Sequence, residues 1–366
     1  MNILYISHLS TNVAAGLNWS VPAGIKAQEK IDNCFWVDLN NIEMSHWRET
    51  KCFHQLKEFG DKIHLSLLPA PFNHPDVVVF EGFYNVQELN FAKELRRENI
   101  PYIIIPRGSL THQAMNNHAK WKKKIAHLLF FDKYVHKATA IQYLTNDEYK
   151  NSGDKWNKNH YILPNGFSKP KRVKSSFNES GIMATFIGRL DMYHKGIDIL
   201  LKACQLIQDE LRNVGFKLCF YGPRKYDHDL ILQTVQEMNM QDFITMGGEI
   251  TGKIKEDIII NSDVFILTSR FEGHPMGLIE ALAYGVPAMV TPGSNMAKEI
   301  KNADAGWTCE NLSVDDLVKM LRCVIAEKGI FSKKSKNAME LVKPYDWDKL
   351  ALQMHNVLHF IITKNK

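Results

Sequence analysis

Short apolar runs recur along the chain and alternate with stretches whose apolar positions repeat at helical spacing. The runs Ile3–Ile6, Val77–Phe80, Tyr102–Ile105, Ala184–Ile187, Lys217–Tyr221, Val264–Leu267 and Ala288–Val290 are continuous rather than alternating in polarity. That pattern predicts strands covered on both faces, as in a parallel sheet. Ile197, Leu200, Leu201, Cys204 and Ile207 share one helical face, with Lys202, Gln205 and Asp209 on the other. Strands alternating with helices predict a parallel α/β architecture. The alternation is interrupted once. Pro164-Asn165-Gly166 is a turn signal, and a polar stretch from Ser168 to Gly181 follows it before a strand restarts at Ala184. This predicts a linker between two α/β halves. After a break at Pro344, the chain ends in one last amphipathic helix running to Ile362.

Length agrees with two halves: 366 residues exceed one ordinary domain of about 150. An apolar fraction of 45% and a charged fraction of 23% exclude a disordered, collagen-like or disulfide-scaffold protein. The net charge is +5, from 45 Lys+Arg against 40 Asp+Glu. This fits an anionic small molecule or a membrane surface and falls short of a nucleic-acid binder, so no nucleic-acid partner is expected. Cys34, Cys52, Cys204, Cys219, Cys309 and Cys323 form no Cys-x-x-Cys pair and read as reduced, buried thiols of a cytosolic protein. No apolar run approaches 18 residues, and Met1–Ile6 turns polar at Ser7-His8, which reads as a first strand rather than a signal peptide.

Two segments carry chemistry. In Ser269–Pro287, a strand ends near Thr268, a loop with Gly273, Pro275 and Gly277 follows, and a helix is predicted from Leu278 to Tyr284. Small residues at a helix N-terminus let backbone N–H groups face an anion. Glu272 and Glu280 bracket this loop, and carboxylates accept paired sugar hydroxyls well. In Phe186–Ile197, the chain leaves a strand, turns through Gly188 and enters a helix after Gly196, carrying Arg189 and Lys195. Against a diphosphate these cations would neutralise a leaving group. Asp227, His228 and Asp229 cluster after Gly222 but read as a polar loop, so no metal site is expected. No Gly-x-Gly-x-x-Gly and no P-loop motif is present, which removes nicotinamide-dinucleotide and P-loop readings.

The spacing of Glu272 and Glu280 resembles the Glu-x7-Glu signature of the retaining GT-B glycosyltransferases, in particular glycosyltransferase family 4 (glycosyl transferases group 1). Gly188-Arg-Leu190 followed by Lys195-Gly196 is similar to that family's donor-phosphate loop. Tyr161–Gly166, Phe220–Pro223, Met246–Ile250 and Tyr345–Trp347 resemble further family segments, so the likeness spans nearly the whole chain. It implies two Rossmann-like parallel-sheet domains facing a cleft, with the C-terminal helix crossing back to the first. The implied domains are 1–167 plus 345–366 for the acceptor and 168–344 for the nucleotide-sugar donor. It also implies roles. Arg189 and Lys195 hold the donor diphosphate at the Gly188 turn, and Glu272 contacts the transferred sugar beside Gly273. Glu280 accepts from the ribose. The backbone of Met276, Gly277 and Leu278 caps the phosphates, and Gly222, Gly248 and Ile250 border the base and ribose. On the acceptor side stand Gly16, Arg107 and His112. Many relatives have His where this sequence has Arg107, which leaves a His-assisted step to His112 or assigns Arg107 an anion.

The implied activity is transfer, with retention, of a hexose-type sugar from a UDP- or GDP-sugar to a hydroxyl of a glycan or lipid-linked acceptor. The common family setting is cell-surface polysaccharide assembly, such as capsule or lipopolysaccharide. No cofactor is expected beyond the nucleotide-sugar substrate. The basic stretch containing Lys120–Lys124, with Trp121, Leu128 and Phe131, is a candidate contact with the anionic inner face of a membrane for a cytoplasmic protein. A nucleotide-sugar epimerase and a non-catalytic sugar-nucleotide-binding subunit are the alternatives.

Overall fold

The computed structural model describes residues 1–10, 16–115 and 130–364. The Lys120–Lys124 stretch and Leu128 lie outside the described residues. The chain divides into Met1–Gly166 with Tyr345–Lys366, and Phe167–Pro344. The N-terminal unit carries strands β1 (Asn2–Ser7), β2 (Asn33–Asp38), β3 (Phe53–Gln55), β4 (Val77–Glu81), β5 (Tyr102–Ile105), β6 (Ala140–Tyr143) and β7 (His160–Ile162). They form one sheet in the order β3-β2-β1-β4-β5-β6-β7, every pairing parallel. The C-terminal unit carries β8 (Ile182–Ile187), β9 (Phe216–Tyr221), β10 (Ile244–Gly248), β11 (Val264–Leu267), β12 (Ala288–Val290) and β13 (Gly306–Thr308). Their order is β10-β9-β8-β11-β12-β13, again all parallel. These are two Rossmann-like sheets. In each, winding starts in the middle and reverses once, between β1 and β4 and between β8 and β11. Loops leaving a reversal point diverge and open a crevice at the carboxyl ends of the strands, where such sheets bind ligands.

Most of the continuous apolar runs are central strands buried under helices on both faces, but β9 alternates instead, with Lys217 exposed and Cys219 and Tyr221 half-buried. The strands without such a run are short or carry polar residues. Gln142 interrupts β6, yet it is satisfied in the core, donating to the Leu163 carbonyl at 3.1 Å and accepting from the Tyr161 hydroxyl at 3.0 Å. The final helix, Trp347–Lys364, buries Leu350, Ala351, Met354, Leu358 and Ile362 against Val21, Ile25 and the N-terminal sheet. Gly166 makes room for it, since a Cβ there would lie 2.6 Å from the Trp347 ring.

Two further features differ from the sequence reading. The polar stretch 168–181 is not a free linker. Its Lys174 is buried, with Nζ 3.2 Å from both the Ile260 carbonyl and the Asp263 carboxylate. Polar composition conceals a segment whose one buried charge has its own counter-ion. The six cysteines are all free, but Cys323 is exposed on the helix Val314–Ala326, and only Cys34 and Cys204 are fully buried. Among the described residues no helix is long and apolar enough to cross a membrane.

Candidate functional site

The loop after β8 is held in place before any ligand is considered. The Gly188 N–H donates to the Tyr221 carbonyl at 2.9 Å, and Gly222 packs on Gly188 so closely that a Cβ would lie 2.1 Å from the Gly188 oxygen. The Asp191 carboxylate accepts the His194 N–H at 2.7 Å, and Asp227 accepts the Met192 N–H at 2.8 Å. Gly196 has φ +64°, and a Cβ there would meet the Thr268 carbonyl at 2.1 Å. The Thr268 hydroxyl donates to the Lys195 carbonyl at 2.9 Å. The loops leaving β8 and β11 are therefore joined across the reversal point of the C-terminal sheet.

Lys195 and Glu272, assigned separate roles from the sequence, form one ion pair with side chains 10% and 11% exposed. Ser269 Oγ donates to the same Glu272 oxygen. Burial pushes the Glu272 carboxyl up, but the Lys195 ammonium, His194 and the Lys195 and Ser269 hydrogen bonds outweigh it, and the net shift is downward. His194 stacks on Phe271 at 4.1 Å between ring centroids. Burial and then the Lys195 charge push its imidazole below the ordinary range, against the opposing pull of Glu272. Asn295, in the left-handed region at φ +58°, donates its amide to the carbonyls of Glu272 and Gly273. Arg270 forms a bidentate pair with Asp198, both contacts at 2.8 Å. These supports escape sequence reading because Asp198, Ser269 and Asn295 belong to no readable spacing with the loop.

The helix after this loop runs Met276–Ala283, two residues earlier at its start than predicted. Pro275 precedes it and no side chain caps it. Leu278 and Ile279 N–H both return to the Pro275 carbonyl at 3.1 Å, so the N–H groups of Met276 and Gly277 are the ones left facing outward bonding. A Cβ on Gly277 would press the Ile187 carbonyl at 3.2 Å, which keeps this turn close to the end of β8. Glu280, one turn in, does not join the Lys195 cluster. It pairs with Lys255 of the helix Gly252–Asn261, and its buried Oε2 makes no geometrically satisfactory hydrogen bond. Lys255 is a partner the sequence did not reveal. Arg189 lies over the Tyr226 ring at 5.5 Å and has no carboxylate partner among the described residues. Beside it, the Gly222 N–H donates to the Gly248 carbonyl at 2.9 Å. Gly248 sits in a bulge of β10 at φ +75°, with open space where a Cβ would stand. Half-buried Ile250 follows it. Among the described residues no three or more His, Cys, Asp or Glu side chains converge as a metal-ligand set.

In the N-terminal unit the expected residues fare differently. Arg107 is in the left-handed region at φ +51°, and its guanidinium is almost wholly committed. It donates through Nε and Nη2 to Glu81 at 2.9 and 2.7 Å, and through Nη1 to Ser20 and Asn165 at 3.2 and 2.9 Å. Gly108 N–H and Leu144 N–H are held by the buried Glu148 carboxylate, which burial pushes above its usual range despite those bonds and Arg107. His112 is exposed at the start of a short helix, His112–Met115. Gly16 stands at the N-terminus of the helix Leu17–Gln28 in ordinary helical conformation, its carbonyl accepting from Trp19 and Ser20.

Residues 167–341 match the model of a family described as glycosyl transferases group 1. An uncharacterized glycosyltransferase of Haemophilus influenzae is 22% identical over 190 residues, 52% of either chain. The chain thus spans about half the length of that relative. Among solved structures, a sucrose-phosphate synthase from Thermosynechococcus elongatus is similar with TM-score 0.76 and 15% identity, each chain covered in full. Anabaena HepE in complex with UDP and glucose is similar with TM-score 0.73 and 13% identity, covering 98% of this chain and all of the other. These structural likenesses carry the fold, which is GT-B.

Proposed function

We propose that this chain, whose residues 167–341 match the glycosyl transferases group 1, transfers a sugar from a nucleotide diphosphate sugar to a hydroxyl with retention at the anomeric carbon. One observation carries the reading. At the β8/β11 reversal point, two joined loops bring together Arg189, which has no carboxylate partner among the described residues, Lys195, and a helix N-terminus whose first N–H groups lack a side-chain cap. That is a site for a dense anion, and a departing diphosphate is the anion such an enzyme must stabilise. In the reaction, the bond from the anomeric carbon to the diphosphate breaks as the acceptor oxygen bonds on the same face. The acceptor proton passes to the departing phosphate oxygen. Arg189 and the Met276–Gly277 N–H groups take up the negative charge as it develops. Lys195 adds its charge while holding Glu272, whose remaining acceptor capacity meets the hydroxyls of the transferred sugar. Glu280 receives the ribose hydroxyls. The positive charge comes from the chain itself, so transfer proceeds without added metal.

Support for a UDP donor comes from the likeness to HepE, which is described with UDP and glucose. The match to the glycosyl transferases group 1 supports a hexose-type sugar, a glycan or lipid-linked acceptor, and a setting in cell-surface polysaccharide assembly. A cytoplasmic enzyme working at the inner membrane face through Lys120–Lys124 completes the reading. The test is a melting-temperature screen with UDP-, GDP- and ADP-sugars, followed by release of nucleoside diphosphate from the stabilising donor with and without EDTA. A bound donor stabilises in proportion to the logarithm of its concentration over Kd. One base should stand out, EDTA should leave turnover intact, and the anomeric configuration of the product should match the donor. No stabilisation by any nucleotide sugar would remove the reading.

A further inference from the structure

The N-terminal unit contains a histidine whose surroundings differ from those of Arg107 and His112. His8 follows the last residue of β1, at the reversal point between β1 and β4 where this sheet opens its own crevice. Its Nδ1 lies 2.8 Å from Glu88 Oε1, on the helix Val86–Arg97 that follows β4. The Glu88 side chain is 0% exposed, and its other oxygen accepts from the Tyr134 hydroxyl at 3.2 Å. The loop after β4 is shaped around the ring: Gly82 has φ +120°, and a Cβ there would lie 2.8 Å from His8 Cε1. The imidazole itself remains 23% exposed.

Burying a carboxylate without a partner costs several kcal/mol, so an acid with zero exposure is tied to the group it serves. Among the described residues that group is His8, its one ionic partner. A carboxylate on Nδ1 holds the neutral ring's proton there, which puts the acceptor lone pair on Nε2. Burial pushes the imidazole's pKa down, while the Glu88 hydrogen bond and charge, the Asp38 carboxylate and the Phe83 carbonyl pull it up, and the upward pull wins. By contrast, Arg107 is spent on Glu81, Ser20 and Asn165, and His112 stands on a four-residue helix with an exposed side chain.

We propose that His8 is the side chain of the N-terminal unit that contacts the sugar acceptor, its Nε2 accepting a hydrogen bond from an acceptor hydroxyl, with Glu88 as its positioning residue. The assignment rests on the transfer reading above. The reaction's own proton still goes to the departing phosphate; His8 orients the hydroxyl-bearing partner.

The test compares nucleoside diphosphate release by the full chain, first with water alone and then with octyl β-glucoside as the hydroxyl probe. His8→Ala should slow release by roughly tenfold to a hundredfold, the size of a lost hydrogen bond to a polarised group. The melting-temperature rise given by the nucleoside diphosphate should be unchanged. His8→Gln, which carries an amide near the Nε2 position, should recover part of the rate. Because the neutral ring is the competent form, release should rise with pH through the His8 pKa. Glu88→Gln removes the upward pull and should move that rise to lower pH, whereas a purely structural Glu88 would lower the rate equally at every pH. A wild-type rate in His8→Ala, or an unmoved pH profile in Glu88→Gln, would overturn the assignment and leave the donor reading standing. If the wild-type chain releases no nucleoside diphosphate, the transfer reading falls. His8 is then judged by nitrogen NMR: a selective shift of Nε2 on adding octyl β-glucoside supports the contact, and an unmoved resonance overturns it.

Discussion

At the scale of single residues, the site is a set of paired charges with one exception. Lys195 and Glu272 hold each other, Glu280 is held by Lys255, and Arg189 rests on an aromatic face. An arginine stacked on a ring gives up little when it turns to a phosphate, whereas Lys195 is already held by Glu272. Lys195→Ala should therefore do two things. Release of nucleoside diphosphate should fall by about 10²–10³, as expected when one preorganised charge is lost, and the folded state should weaken because Glu272 is left buried and unpaired. The second effect depends on pH. The Glu272 pKa is lowered in the folded chain, so its contribution is complete above the unfolded value of about 4.3 and is lost as pH falls through the folded one. Urea denaturation of wild type and Glu272→Gln should diverge near neutral pH and converge in acid. Parallel curves at all pH values would show that the pair contributes nothing. The charged residues themselves were legible, because Arg189, Lys195, Glu272 and Glu280 fall at readable spacings. Their pairing was not. Lys255, Asp198 and Asn295 reach the site from other elements, and His8 takes its meaning from a glutamate 80 residues away.

At the scale of elements, glycines decide how closely the loops approach. Gly196 is in the left-handed region and touches the end of β11, so Gly196→Ala adds a steric clash to the roughly 1–2 kcal/mol of left-handed strain. It should lower the melting temperature and abolish nucleotide-induced stabilisation together. Gly248→Ala has open space and should cost only the strain, a contrast readable in one set of thermal melts. The final helix belongs to the N-terminal core through Leu358, which is fully buried. Leu358→Ala should cost about 2–5 kcal/mol in denaturant titrations. A cost below 1 kcal/mol would mean the helix is only loosely seated. Central strands could be read from sequence because burial on both faces writes a continuous apolar run. The edge strand β10 could not, since its Gly-Gly bulge and exposed positions erase that signal.

At the scale of the whole molecule, the repeated plan is the informative fact. Two parallel sheets each reverse once, and each reversal point gathers chemistry of its own kind: cations and a bare helix end between β8 and β11, a carboxylate-backed histidine between β1 and β4. The division into halves was readable from the break after Gly166. The close binding of 168–181 to its own unit was not, because the buried Lys174–Asp263 pair looks like surface in a linear sequence. On the proposed function the β8/β11 crevice receives a nucleoside diphosphate. The most direct test is calorimetric titration of UDP, GDP and ADP into the wild-type chain and into Arg189→Ala and Lys195→Ala. One of these nucleotides should bind the wild type saturably, with binding weakened at least about tenfold in both variants. Wild-type affinity retained in both variants, or no binding of any of the three to the intact chain, would contradict it.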